Sequence, residues 1–467
     1  MSSEPQPDRP RLPRARALVD RVRKSQLGGL AYDTGFVAIW QGSIAAAGLL
    51  QIVLLTHAFG LNGYGRLSVV IAFGDLVGGL FNLRVSYAAT TYGSRWLTRD
   101  PKVAAGVFQY SMLIDLASTI AAVPVLAVLA FAIGTRVAGP HSTLLIIVYA
   151  LSLVGPALSR MSYTVLRLLD RFALISTYQW AIEFGRVGFI FVVIQVFHSL
   201  LAVIAVIAVS TAVGGIVNVV VMSRVYRNTY GIGLGRSYLN VLDGEARVGM
   251  RKTMFHTLVI QYARVVQTQL PTVFLGALAG NTQVGIYKLG TASTAIIGKI
   301  IQPASQALLP RISKLWAAGR IHDLRTLVFR ASAISTIVMG VAFAAIVVFR
   351  NPVLHLLGSG KAGEAAATCL ILGTGSQALY GLVFWHSTVL FAADRSGAMS
   401  RVSAIAAVTH VIAMFALIPL WQANGAALSL VISQVMITIC WSTLAVRTLR
   451  SATDGSELPG PVPATPG

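Results

Sequence analysis

An all-α integral membrane protein is the fold class this sequence predicts, and three observations predict it. Of 467 residues, 55% are hydrophobic and only 11% charged, where a soluble chain carries roughly 25% charged residues. Apolar runs recur along the whole length, many of them near the ~20 residues that cross a bilayer core. The runs are continuous rather than alternating at every second residue, which favours a helical bundle over an outer-membrane barrel.

Taken in order, residues 1–13 are polar and proline-rich and are expected to be disordered. Residues 14–34 interleave Arg14, Arg16, Arg21, Arg23 and Lys24 with Leu18, Val19, Val22 and Leu27. That is a basic amphipathic pattern suited to an anionic leaflet, and 1–35 reads as a cytoplasmic N-terminal segment. The first apolar run, 36–59, is too long for a cleaved signal peptide and reads as an uncleaved first helix. Runs at 67–89, 107–134, 143–163, 174–197 and 200–223 complete a first lobe, 36–223. The longest hydrophilic connection, 224–252, carries Arg224, Arg227, Arg236, Arg247, Arg251 and Lys252. Runs at 253–279, 284–310, 327–349, 365–391, 402–421 and 425–446 then make a second lobe, 253–446. The tail, 447–467, is rich in Pro, Gly, Ser and Thr and is expected to be disordered. The count is about twelve transmembrane helices in two groups of six.

The formal charge of +21 would suggest a nucleic-acid partner in a soluble chain. Here the arginines sit in the short connections between runs, so they set topology and no nucleic acid is expected. With both termini in the cytoplasm, only Arg66, Arg136, Arg350 and Lys361 fall on the opposite side. Cys369 and Cys440 both lie in apolar runs, where packing is their expected role. The eight histidines are scattered without ligand spacing, so no metal or cofactor is expected.

The stretch 253–310 holds residues that a bilayer should reject. Two segments joined by Gly280, Asn281, Thr282 and Gln283 carry Arg264, Lys288 and Lys299, with no carboxylate partner in the same hairpin. An ionisable group at membrane depth costs several kcal/mol unless it faces water or a partner. Unpaired cations facing a cavity point to an anionic ligand.

The halves also echo each other. Gly60-Leu61-Asn62-Gly63-Tyr64-Gly65-Arg66-Leu67 follows the first run, and Gly280-Asn281-Thr282-Gln283-Val284-Gly285-Ile286-Tyr287-Lys288 follows the seventh. Six helices return the chain to its starting side, so the halves are parallel repeats about an axis along the membrane normal. With the run Gln302-Pro303 to Leu309-Pro310-Arg311-Ile312-Ser313 and the Asn424-Gly425-Ala426-Ala427 opening of the last helix, the chain resembles the multidrug/oligosaccharidyl-lipid/polysaccharide (MOP) exporter superfamily. The resemblance covers roughly 30–450 and is strongest to the Wzx-type flippases for polysaccharide repeat units.

That resemblance implies a V-shaped, MATE/MOP-like pair of lobes around a central cavity lined by the first, second, seventh and eighth helices. It implies alternating access that carries a polyprenyl-diphosphate-linked glycan across the plasma membrane, with ion coupling in many members. A polysaccharide polymerase or glycosyltransferases are the partner enzymes it suggests. Arg264, Lys299, Arg84 and Lys288 fall on the implied lining and are the candidate diphosphate ligands, Arg by a bidentate fork and Lys as a point charge. Arg84 and Lys288 also lie near helix ends, where they would snorkel to an interface.

Asp75, Asp115 and Glu183 are the intramembrane acids and the candidate ion-coupling groups. Glu183 stands three residues from Arg186, which favours a structural pair. Asp75 could equally partner Arg84, and Asp115 is open between the two roles. Gln261, Gln267 and Gln269 could contact saccharide or bond between helices. Tyr32, Trp40 and Trp385 could be interfacial anchors or aromatic platforms for saccharide, and the anchor reading is favoured.

Among rivals, a lipid II-type flippase has the same chemistry, whereas a cation-coupled drug exporter would favour acids in the cavity. A polytopic glycosyltransferase or ligase needs a large external loop, and the one appreciable outside connection, about 350–364, is small. A non-transporting scaffold would have no use for the intramembrane cations.

Overall fold

In the structure, a computed structural model, residues 26–97, 99–241, 244–358, 364–393 and 395–453 are described. The basic stretch before residue 26 and the tail beyond 453 lie outside them. The first half contains α1 (Gln26–Leu80), α2 (Val85–Leu97), α3 (Pro101–Ala138), α4 (Ser142–Leu168), α5 (Phe172–Phe197) and α6 (Leu200–Tyr230). The second contains α7 (Gly244–Ala279), α8 (Asn281–Ala317), α9 (Ile321–Val348), α10 (Arg350–Leu357), α11 (Ala367–Leu382), α12 (Trp385–Ala392) and α13 (Ser396–Thr453). No strand occurs among the described residues.

Lengths dictate how these helices meet a bilayer. At ~1.5 Å per residue, a helix of 55 residues such as α1 would be more than twice as long as the ~30 Å hydrocarbon core. It therefore folds back at Gly60, whose φ of 65° and ψ of −176° interrupt the helix. The 58-residue α13 breaks at Gln422 (φ 47°, ψ −121°). α11 and α12 form one span bent by 41°. Counting two passes each for α1 and α13, one each for α3 to α9 and one for the bent pair gives the twelve spans, in two six-helix lobes. Over its described side chains, 258–279, α7 falls outside the group of helices that qualify by apolarity alone; that stretch carries Arg264 and the amides Gln261, Gln267 and Gln269.

Burial shows where the lobes join. One core cluster draws on both halves: Leu55, Leu67, Val70 and Ile146 pack with Leu275, Leu289, Leu370 and Met414 near the two glycine elbows. Away from the elbows each half has its own core, around Phe108, Met161 and Tyr226 in the first and Ile312, Trp316 and Trp441 in the second. The lobes are thus fused at the elbow end and separately packed toward the other, where α2 leans across to α7. Their outer faces present bare apolar side chains such as Phe131 (73% exposed) and Phe329 (76%), as lipid contact requires.

Three details differ from the expectations. The second apolar run is not one helix: α1 ends at Leu80, and Arg84 stands in a break with left-handed backbone (φ 54°) before α2. Trp385 is no interfacial anchor, because it is buried in the second lobe's core; Tyr32 and Trp40 have side chains outside the description. The basic connection is also shorter than its hydrophilic stretch, since α6 extends to Tyr230 and α7 starts at Gly244.

Residues past Gly231 dock on the first lobe. Gln109 of α3 donates from Nε2 to the carbonyls of Leu234 (2.9 Å) and Arg236 (2.6 Å), and its Oε1 accepts from the Tyr238 amide (2.8 Å). Each such bond contributes about 1 kcal/mol net. Gln109→Ala is accordingly expected to lower stability by about 1–3 kcal/mol and to make the 231–241 segment cleavable in limited proteolysis. An uncleaved segment would show that apolar packing alone holds it.

Candidate functional site

A cavity of about 490 Å³ opens between the lobes, walled by α1, the 81–84 break, α3 and α4 on one side and by α7 on the other. Three arginines reach it. Arg84 comes from the break, where its own amide donates to Asn82 Oδ1 (3.1 Å). A non-glycine residue in left-handed backbone is held at a cost of order 1–3 kcal/mol, and such strain clusters where a side chain must be aimed. Arg160 comes from α4, with Nε 3.3 Å from Asp115 Oδ2 of α3. The Asp115 side chain is 1% exposed and that of Arg160 27%, so the carboxylate anchors the guanidinium from beneath. Arg264 projects from the middle of α7, is exposed, and forms no ion pair among the described residues.

Asp75 of α1 also lines this cavity, and its Oδ1 accepts from Tyr149 Oη at 2.7 Å. The Tyr149 ring lies directly on Gly74, where a Cβ would collide with it. Gln261 and Gln269 line the same chamber beside Thr268.

A second cleft of about 440 Å³ adjoins the first, sharing Thr268. Ile44, Gly48, Leu49 and Ile52 of the first arm of α1 face Tyr287, Ala292 and Leu430 across it. Its lining is mostly apolar, with Lys288 of α8 and Gln267 of α7 as polar intrusions. The buried Gln267 Nε2 has no partner among the described residues. Lys288 and Asp75, on opposite lobes, are near enough for their charges to interact.

The structure therefore gathers Arg84, Arg264, Asp75, Gln261 and Gln269 in one chamber and Lys288 and Gln267 in the next. The Lys299 side chain lies outside the described residues. Glu183 pairs with Arg186 on α5, and neither lines either space. Asp115 is committed to Arg160. Arg160 itself and Tyr149 are absent from the sequence-derived candidates. The signal for Arg160 was present, since it is a cation inside the 143–163 run; only its helix, the fourth, lay outside the implied lining. Tyr149 carries no charge, and only its hydrogen bond marks it.

Chemically, three guanidiniums face two carboxylates, one of which is already paired. A low-dielectric site with this surplus, extended by an apolar cleft, suits a ligand with an anionic head and an apolar tail. Loss of Arg160 would strand a buried carboxylate. Arg160→Ala is expected to lower thermal stability by about 3 kcal/mol, with the Arg160→Ala/Asp115→Ala pair recovering part of it. A double variant destabilised by the sum of the two single effects would mean that the pair carries no coupling.

Residues 30–316 match the family described as polysaccharide biosynthesis protein, and 259–416 match the MatE family. A probable flippase, AglR, of Haloferax volcanii is 24% identical over 193 residues, which is 40% of this chain and 39% of that protein. Among solved structures, the Vibrio cholerae MATE transporter VcmN in its bent form superposes with a TM-score of 0.61 at 14% identity, covering 94% of this chain and 100% of that one. The lipid II flippase MurJ in an inward closed conformation gives 0.61 at 12% identity, covering 91% and 90%. At these identities the structural likeness establishes the fold.

Proposed function

This chain belongs to the polysaccharide biosynthesis protein family and has the two-lobed fold of MOP-superfamily transporters, and from that premise we propose that it is a flippase for a polyprenyl-diphosphate-linked oligosaccharide. The observation that carries this reading is the adjacency of the arginine-walled chamber to the apolar cleft. A polyprenyl diphosphate is anionic at the head and apolar beyond it. Arg84, Arg160 and Arg264 would hold the diphosphate, Gln261 and Gln269 the sugar hydroxyls, and the cleft the first isoprene units. Lys288 stands beside the cleft, where head and tail join, and Lys299, eleven residues on in the sequence, is the remaining candidate cation.

In this reading both termini and the 224–252 linker are cytoplasmic and the elbows face outward, as the Arg/Lys distribution favours. The membrane is the bacterial plasma membrane, where the protein works beside a polysaccharide polymerase or glycosyltransferases. Lobes 36–223 and 253–446 rock so that the cavity opens to each side in turn. A cationic drug would meet three guanidiniums there, which disfavours the drug-export alternative.

Asp75 is the acid best placed to take up a coupling ion: it lies in the cavity, whereas Asp115 is paired and Glu183 is remote. Asp75→Asn is expected to remove any dependence of transport on an imposed ion gradient. Gradient dependence equal to that of the wild type would take Asp75 out of coupling.

The central test is reconstitution in liposomes with polyprenyl-diphosphate glycolipids, both oligosaccharide-bearing and of the lipid II type. Arg264→Ala should insert normally and translocate roughly 10–100-fold more slowly, the equivalent of one charge-assisted hydrogen-bonded contact. Wild-type rates in that variant, or transport indifferent to removal of the diphosphate, would sink the assignment. The relative rates of the two glycolipids decide between surface-polysaccharide and peptidoglycan precursors.

A further inference from the structure

The elbow end is built as a self-complementary contact, and the numbering exposes it. Asn62 Nδ2 donates to Thr282 Oγ1 at 3.2 Å, across a separation of 220 residues. The same offset relates the glycine contacts and the Thr56 and Gly276 contacts, while two further bonds are made by one half alone. Gly60 and Gly280 share one unusual backbone conformation (φ 65°, ψ −176° and φ 83°, ψ 171°). Gly65 lies against the carbonyl of Asn281 and the amide of Gly285, while Gly285 lies against the carbonyl of Leu61. Thr56 Oγ1 donates to the Leu357 carbonyl at 2.6 Å, and its counterpart Gly276 lies against the Val137 carbonyl. Asn281 Nδ2 adds a bond to the Ala138 carbonyl (3.1 Å), and Arg66 one to that of Pro140.

A two-fold contact of this kind makes and breaks as a unit, because separating one half separates its mate. We propose that it is a symmetric latch: Gly65 and Gly285 are the stops against which the lobes close at the elbow end, and releasing both together opens the cavity on that face. A Cβ at either position would strike backbone of the opposite lobe rather than a movable side chain. Neither glycine has a positive φ, so alanine suits the helix itself at least as well. A substitution there acts on the latch and not on its own element. The inference depends on the transporter reading but not on the identity of the cargo.

The test uses accessibility. In a chain whose Cys369 and Cys440 are replaced by alanine, Thr268→Cys places one thiol where the two cavities meet. A membrane-impermeant maleimide applied to the elbow face of oriented vesicles should label this thiol at least about tenfold faster when Gly65→Ala or Gly285→Ala is added, the expected consequence of an overpacked contact. The double variant should label no faster than either single one, since one displacement relieves both collisions. Gly42→Ala, where a Cβ meets nothing within 4 Å among the described residues, serves as reference.

Conversely, joining Asn62→Cys to Thr282→Cys by oxidation should abolish labelling from that face and restore it on reduction. Unchanged labelling in the alanine variants, additive effects in the double variant, or unhindered labelling of the oxidised pair would each overturn the latch. None of these readouts involves a glycolipid, so a working latch in a protein that moves no glycolipid would refute the cargo alone.

Discussion

Charge inside a low-dielectric slab must be enclosed or neutralised, and most of this architecture follows from that requirement. Where an acid and a base lie within reach they pair, as Asp115 does with Arg160 and Glu183 with Arg186. Where no acid among the described residues pairs with it, the cation is given a hollow, as with Arg264. The described part of α7, too polar to qualify as an ordinary span, faces the interlobe space together with α1, α3 and α4. The low apolarity of α7 is the local cost of a cavity that the outer helices, with exposed phenylalanines, shield from lipid.

A hollow of this kind needs lobes that touch at one end and diverge at the other. The shared core at the elbows and the separate cores beyond it supply that geometry. Contact at the elbows is between backbones, which small residues permit and which brings carbonyls of one lobe onto glycines of the other. Such a surface has few rotatable side chains, so it has little room to yield gradually and favours two discrete arrangements. The chamber and the contact therefore belong to one device, with binding in the divergent part and closure in the fused part.

The cavity mixes fixed and conditional charge. Arg160 is braced by a carboxylate beneath it, and Arg84 by a strained backbone, so both stand ready before any ligand arrives. Asp75 is different: it is tied to Tyr149 by a neutral donor and senses Lys288 across the lobes. A group in that position feels both the arrival of an anion and the separation of the lobes.

Helix number, the two-lobed division, the elbow glycines and the presence of buried cations were all legible in the 467 residues, because bilayer thickness and the cost of intramembrane charge act on local sequence. The echo of Gly60–Gly65 in Gly280–Gly285 even placed the two elbows. What no window of sequence contains is adjacency. That Arg160 on the fourth span shares a chamber with Arg264 on the seventh, that Asp115 is already engaged, and that Trp385 is core rather than anchor were decided by which helix faces meet. Periodicity says that a face is polar or apolar, but the partner it turns to is set by packing between elements far apart in the chain. The break at 81–84 was likewise hidden, because an apolar run reads the same whether its backbone continues or turns.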